Sequence, residues 1–408
     1  MRALLSTIGS RGDVQPLVAL AIALRARGVA VELCVPPDFR EWIERLGFAA
    51  TPIGPELRKL TTPGPSAKPF QPSPEEMRKL VEDSVATQFT TLGEVARGAD
   101  VIVAATALQI AARTVSEMLG IGYVFAAYCP AVLPSADHAP LPLTPRPGPS
   151  LPPTSDNREL WKRDGERFSA TFGGFLNAHR TAAGLAPVTD ARRHVFGETP
   201  WLAADATLGP WPGEGNDAPF QPGAWIIDDD RPLAPELERF LDRGDPPVYF
   251  GFGSARVPAE LGATMVSAAR ALGRRAIVSS GWGGLTLPDD GPDCLVIDEV
   301  NQQALFRRVA AVVHHGGAGT TTAAALGGAS QVIIPQMYDQ HYWARRVDEL
   351  GVGVAHAPGA PTAASLPAAL EGALRTGVAE AAQSLAPRVR RDGAKVAADR
   401  LIAEYGRR

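Results

Sequence analysis

The chain has only three cysteines in 408 residues, Cys34, Cys129 and Cys294. They are too few and too scattered for a disulfide framework or a thiolate zinc site, and a reduced, cytoplasmic setting is expected. No run approaches the ~20 apolar residues that span a bilayer, so no integral membrane segment is expected. Met1–Thr7 has one basic residue and too short an apolar run for a secretory signal, and it reads as a buried first strand. Excess positive charge is missing as well. A formal net charge of −4 gives no reason to expect a nucleic-acid partner. What is plentiful is core material: apolar residues make up 45% and charged residues 21%, which excludes global disorder. A chain this long exceeds what one core usually serves, so two domains are expected. Proline is abundant at 37 residues, with clusters over Pro130–Pro153 and Pro200–Pro222 that read as loops and linkers.

Short apolar runs alternate with amphipathic stretches along both halves, the pattern of βα units and a parallel sheet. In the first half, strands are expected at Ala3–Thr7, Val29–Val35, Asp100–Ala105 and Gly122–Ala127. Helices are expected at Leu17–Arg27, Phe39–Leu46, Glu75–Arg97, Ala111–Leu119 and Glu159–Thr181, and Pro55–Pro74 reads as a long loop. In the second half, strands are expected at Pro247–Phe252, Arg275–Ser279, Cys294–Ile297, Val309–Val313, Gln331–Ile334 and Val352–His356. A helical tail follows from Ala363 to Tyr405. The fold class is therefore α/β, with two Rossmann-like doubly wound domains facing across a cleft. The expected division is 1–212, a Gly/Pro/Asp-rich linker at 213–230, a second domain at 231–385, and a terminal helix at 386–408.

Ligands of such sheets sit beyond the carboxyl ends of the strands, and the informative motifs fall there. His314-His315-Gly316-Gly317-Ala318-Gly319-Thr320 joins a strand to a helix through glycines, which exposes backbone N–H groups and a helix dipole to one point. That turn suits a diphosphate. Gly251-Phe252-Gly253-Ser254 ends another strand with a hydroxyl to offer a phosphate oxygen, although an ordinary βα turn has the same composition. At the first strand's end, Gly9-Ser10-Arg11-Gly12-Asp13 supplies a guanidinium fork and a carboxylate. Asp13 is either a helix N-cap or a base for an acceptor hydroxyl. Asp339 beside Gln340 pairs an acid with an amide, as bidentate binding of sugar hydroxyls requires; helix capping is the alternative. Trp282 either shelters a nucleotide base or packs. Asp228-Asp229-Asp230 and Asp289-Asp290 lie in Pro/Gly-rich loops and read as solvated turns, so no metal is assigned.

Those motifs together resemble the two-domain (GT-B fold) glycosyltransferases that decorate natural products, particularly those acting on vancomycin-type glycopeptide antibiotics. The similarity covers nearly the whole chain. It implies transfer of a sugar from a nucleoside diphosphate donor (TDP or UDP) to an aglycone hydroxyl with inversion, by a metal-independent monomer with no cofactor beyond its co-substrate. It further implies an acceptor-binding first domain, a donor-binding second domain, and a final helix that crosses back onto the first. Carried over residue by residue, Asp13 is the base. Ser10, Arg11, Gly12, Ser254, His315, Gly317, Gly319 and Thr320 hold the diphosphate, Asp339 and Gln340 grip the sugar, and Val300 lies against the base. Many relatives have histidine where Asp13 stands. An ordinary carboxylate, with a pKa of about 3.9, would be a weak base.

Other readings compete. Gly317-Ala318-Gly319 nearly matches a dinucleotide fingerprint of a dehydrogenase, but Thr322 stands at the third glycine, and Asp339 lies past its strand's end. A sugar-nucleotide epimerase would need carboxylates around the anomeric position, and no such set is evident. Within transferases, a polyketide or macrolide acceptor is the alternative to a glycopeptide.

Overall fold

The computed structural model describes residues 1–61, 72–141, 156–213, 218–254, 261–282 and 284–406. Parts of the two expected proline-rich loops (62–71 and 142–155), of the linker (214–217), and Gly283 beside Trp282 lie outside the described residues. Among the described residues twelve strands form two six-stranded sheets. The first contains β1 (Arg2–Thr7), β2 (Ala30–Val35), β3 (Ala49–Pro52), β4 (Val101–Ala105), β5 (Gly122–Ala127) and β6 (Trp201–Leu202), in the order β3-β2-β1-β4-β5-β6. The second contains β7 (Val248–Gly251), β8 (Ala276–Ser279), β9 (Cys294–Ile297), β10 (Ala311–His314), β11 (Ser330–Ile333) and β12 (Gly353–Ala355), in the order β12-β11-β10-β7-β8-β9. Every pairing is parallel. Numbered within themselves, both sheets read 3-2-1-4-5-6, the doubly wound order, with switch points at β1/β4 and β7/β10.

Side-chain alternation explains why the central strands are largely apolar on both faces. Ala3, Leu5, Leu33, Val103 and Ala105 face the core under helix Arg11–Arg25, whereas Leu4, Cys34, Ile102 and Ala104 face the core against helices Pro74–Val95 and Ala112–Leu119. Both faces are covered, as a parallel sheet requires.

Several elements depart from the sequence reading. Helix Arg11–Arg25 starts six residues before the expected Leu17, with Pro16 inside it. Proline favours helix starts, which biased the reading, yet here it removes only one backbone bond. Strands β3 and β6 are short edge strands with too little pattern to see. Helices Leu57–Thr61, Ala191–Phe196 and Pro235–Asp242 were also not anticipated. The stretch expected as one helix over Glu159–Thr181 is interrupted by a π-helical turn at Ser169–Gly173.

The last helix, Gly393–Tyr405, buries Ala394, Ala397, Ala398 and Leu401 in the core of the first sheet. Arg27 makes a bidentate pair with Asp399 on it. Its start passes so close to residue 223 that a Cβ on Gly393 would lie 2.4 Å from the Gly223 carbonyl carbon. Backbone cannot yield as a side chain tip can. Gly393→Ala is therefore expected to cost about 1–3 kcal/mol, the usual penalty of overpacking. Gly377→Ala, in open space, should cost nothing; urea denaturation of the two variants checks the contrast.

Candidate active site

The carboxyl ends of the two sheets meet. Arg11, after β1, reaches Glu299, after β9, at 3.3 Å. The same guanidinium bonds Gln15 and lies 3.7 Å over the Trp42 ring, and burial is the main cause of its lowered pKa. Trp282, after β8, stacks on Phe39 at 5.8 Å and lies 5.4 Å from the Arg58 guanidinium. Below them an apolar seam joins the lobes: Trp343 is buried against Pro130 and Gly209.

The turn after β10 is built by glycine. Gly316 has φ +92°, and a Cβ there would strike Ile333 at 2.6 Å. His314 is fully buried. Its Nδ1 accepts from the Gly316 N–H, so Nε2 carries the proton and donates to Gln331. This histidine braces the turn. His315 points elsewhere, between two glycines: a Cβ on Gly317 would approach its Nε2 to 2.8 Å, and one on Gly253 its Cε1 to 3.4 Å. Its Nδ1 is buried without a partner, and burial pushes its pKa down to about 4, so the ring is neutral at pH 7. An orphaned buried polar atom costs ~1–3 kcal/mol unless something meets it. Beside it, helix Ala318–Gly327 starts at Gly317, which has no side chain to satisfy the first-turn N–H groups. Thr321 and Thr322 turn their hydroxyls back onto the carbonyls of Gly317 and Ala318. Thr320 is half-buried, Gly319 is exposed, and Ser254 is half-buried beyond Gly253. Neutral imidazole, free N–H groups and hydroxyls together make a cradle for an anion.

Across the cleft, Ser10 is the cap of helix Arg11–Arg25, and Asp13 is its third residue. Asp13 is therefore the return partner of a capping box and does not cap the helix itself. The Ser10 N–H and hydroxyl both donate to Asp13 Oδ2, at 2.6 and 3.1 Å, which leaves Oδ1 for an incoming hydroxyl. Glycine again makes the room, since a Cβ on Gly9 would sit 2.3 Å from Asp13 Oδ2. Burial raises the carboxyl to about 6 against the lowering effect of the Ser10 bonds. Gly12 is exposed at the same helix start.

Asp339 begins helix Gln340–Glu349 at the cap position, yet its side chain caps nothing; Oδ2 accepts from Trp343 Nε1 at 3.1 Å. Burial and then repulsion from Asp13 raise it to about 7. Gln340 turns back, its Oε1 accepting from the N–H groups of Gln336 and Met337. In this structure its carbonyl fixes the loop, and only its amide nitrogen is left to face a ligand. Val300 is half-buried between Glu299 and Asn301, and Asn301 donates to the carbonyls of Asp229 and Arg231.

Residues 3–136 match the glycosyltransferase family 28 N-terminal domain, and residues 286–395 match the erythromycin biosynthesis protein CIII-like C-terminal domain. Two proteins of Amycolatopsis orientalis, glycosyltransferase GtfE and vancomycin aglycone glucosyltransferase, are each 47% identical over 100% of this chain and 98% of their own length. The chain belongs to the natural-product glycosyltransferases. A third relative from that organism, dTDP-epi-vancosaminyltransferase, is 39% identical over 92% of this chain and 90% of its own. Among solved structures, the kitacinnamycin glycotransferase superposes with TM-score 0.72 at 19% identity, covering 99% of this chain and 98% of that one. Glycosyltransferase VinC, solved in complex with dTDP, gives 0.67 at 20%, over the whole of both chains. These place the GT-B fold.

In this glycosyltransferase the other acidic runs are held by arginines. Arg270 grips Asp289 and Asp293, and Arg231 grips Asp229. Trp282 packs against Phe39 and Arg58. Sequence reasoning missed Trp343 and Glu299. Trp343 stands four residues after Asp339, a helical spacing that was there to find; Glu299 lies 288 positions from Arg11, and only the fold joins them. Among the described residues no helix is long and apolar enough to cross a membrane. Because Gly9 admits the Asp13 carboxylate, Gly9→Ala is expected to lower turnover by about 10²-fold, as a 1 Å misplacement can. An unchanged melting temperature alongside would show that the loss is local.

Proposed function

We propose that the protein moves a sugar from a TDP- or UDP-sugar to a hydroxyl of a glycopeptide aglycone, with inversion at the anomeric carbon and without a metal ion. The observation that carries this is His315, whose ring lies with Nε2 against the glycine-capped helix start and whose Nδ1 is buried and unpartnered, opposite a half-buried carboxylate on the other lobe. The acceptor class follows two glycopeptide-linked relatives in name, vancomycin aglycone glucosyltransferase and dTDP-epi-vancosaminyltransferase. A thymidine donor is supported by the dTDP-bound VinC. Residues 1–212 would hold the acceptor and 231–385 the donor, joined by 213–230 and braced by 386–408, in a cytoplasmic monomer.

In this reading the diphosphate sits on the first-turn N–H groups from Gly317 to Thr320. His315, Ser254, Ser10 and Arg11 add contacts, Gly12 allows close approach, and Val300, with Trp282 nearby, borders the base. Asp339 accepts from sugar hydroxyls, and the Gln340 amide donates. Asp13 Oδ1 takes the acceptor proton while the oxygen attacks the face opposite the leaving diphosphate. Charge on that leaving oxygen grows where the dipoles already point, so no reorganisation is needed. Burial matters here: at about 6, Asp13 is a stronger base than an ordinary aspartate, yet it is ionised at pH 7.

Two outcomes are expected. Acceptor kcat/KM should fall about tenfold per pH unit below ~6, since a base works only when ionised. Asp13→Asn should cut turnover by ~10²–10⁴ and abolish that inflection in a pH–rate profile, with TDP affinity little changed. Separately, His315→Ala should weaken TDP binding by about tenfold, the effect of one lost hydrogen bond, measured by calorimetry. Equal affinity would remove the donor assignment.

A further inference from the structure

We infer that Met337 and Tyr338, on the donor lobe, form an apolar platform that contacts the body of the acceptor, so that the aglycone is read by both lobes. The inference rests on the proposed transfer between the lobes. Exposed large apolar side chains are few among the described residues, and most lie toward the carboxyl ends of the two sheets. Met337 and Tyr338 follow β11 at its carboxyl end, with 46% and 43% of their surface exposed. Leu108 follows β4 at the corresponding end of the first sheet and is 48% exposed. Met77 and Leu80 lie in the first two turns of the crossover helix between β3 and β4, whose start lies at that same end. By connectivity all five lie toward the carboxyl ends of their sheets, the side on which the lobes meet. Of the remaining two, Met118 ends helix Ala112–Leu119 at the far side, and Val296 lies on edge strand β9. Water-facing apolar groups concentrated at a cleft mouth mark a surface that something covers.

The position of Asp13 decides what covers it. An acceptor hydroxyl on Asp13 puts the rest of that molecule in the mouth of the cleft, and Asp339, which feels the charge of Asp13, is the neighbour of Tyr338. The loop is also held unusually. Tyr338 has φ +48°, a left-handed conformation that bulky residues rarely adopt. Two bonds to Gln340 Oε1 fix the loop, and the Gln336 amide adds bonds to Ile334 and Gly359. Glycine would fit that backbone without strain, so what tyrosine adds is its ring. An apolar, aromatic acceptor is the partner that a ring and a thioether recognise.

The test uses vancomycin aglycone as acceptor, TDP-glucose as donor, and Tyr338→Gly, Tyr338→Phe and Met337→Ser. Glycine suits φ +48°, so the melting temperature should not fall. Tyr338→Gly should raise acceptor KM ~10-fold or more, Met337→Ser should raise it to a lesser degree, and Tyr338→Phe should match the wild type. TDP affinity by calorimetry should be the same in all. Unchanged KM in the glycine variant, a phenylalanine variant as impaired as glycine, or weakened TDP binding would each overturn the platform. Failure of the wild type to bind TDP or to release it from TDP-glucose would instead overturn the transfer itself.

Discussion

A parallel strand that hands its chain to a helix leaves the helix's first N–H groups unpaired at the strand's carboxyl end, and the whole cleft answers to that constraint. Two sheets of identical order bring such ends face to face. On one side two of these groups are satisfied internally, because Ser10 and Asp13 exchange hydrogen bonds at the start of helix Arg11–Arg25. On the other side Gly317 leaves them open beside a buried imidazole. The same local geometry thus yields a carboxylate on one lobe and an anion cradle on the other.

Glycine is what makes both possible. Gly9 clears space for Asp13, Gly316 takes a left-handed turn against Ile333, and Gly253 and Gly317 bracket His315. Electrostatics then separates roles among groups that would otherwise be alike. Burial keeps His315 neutral, so positive potential comes from the helix rather than from a proton that varies with pH. Burial also raises Asp13 and Asp339, and Asp339 further through the field of Asp13. Bringing those carboxylates together disfavours closure of an empty cleft, while Arg11 on Glu299 and Trp282 on Phe39 favour it.

Much of this was legible in the sequence because it is local. Strand–glycine–helix turns at 251–254 and 314–320 announce themselves by composition, and alternating βα runs gave both sheets except the short edges β3 and β6. The start of helix Arg11–Arg25 was misplaced because Pro16 outweighed the serine–aspartate pair at 10 and 13. Long-range partners left no trace in the sequence: nothing around Arg11 points to Glu299. Nor could pattern show that Gln340 would turn its carbonyl onto its own loop, since that depends on where backbone N–H groups fall once the turn is made.

A crystal structure of the protein with TDP tests the central claim most directly. The account predicts the diphosphate within hydrogen-bond distance of the His315 imidazole and of the first-turn N–H groups of helix Ala318–Gly327. A diphosphate bound elsewhere, out of reach of that ring, would contradict it.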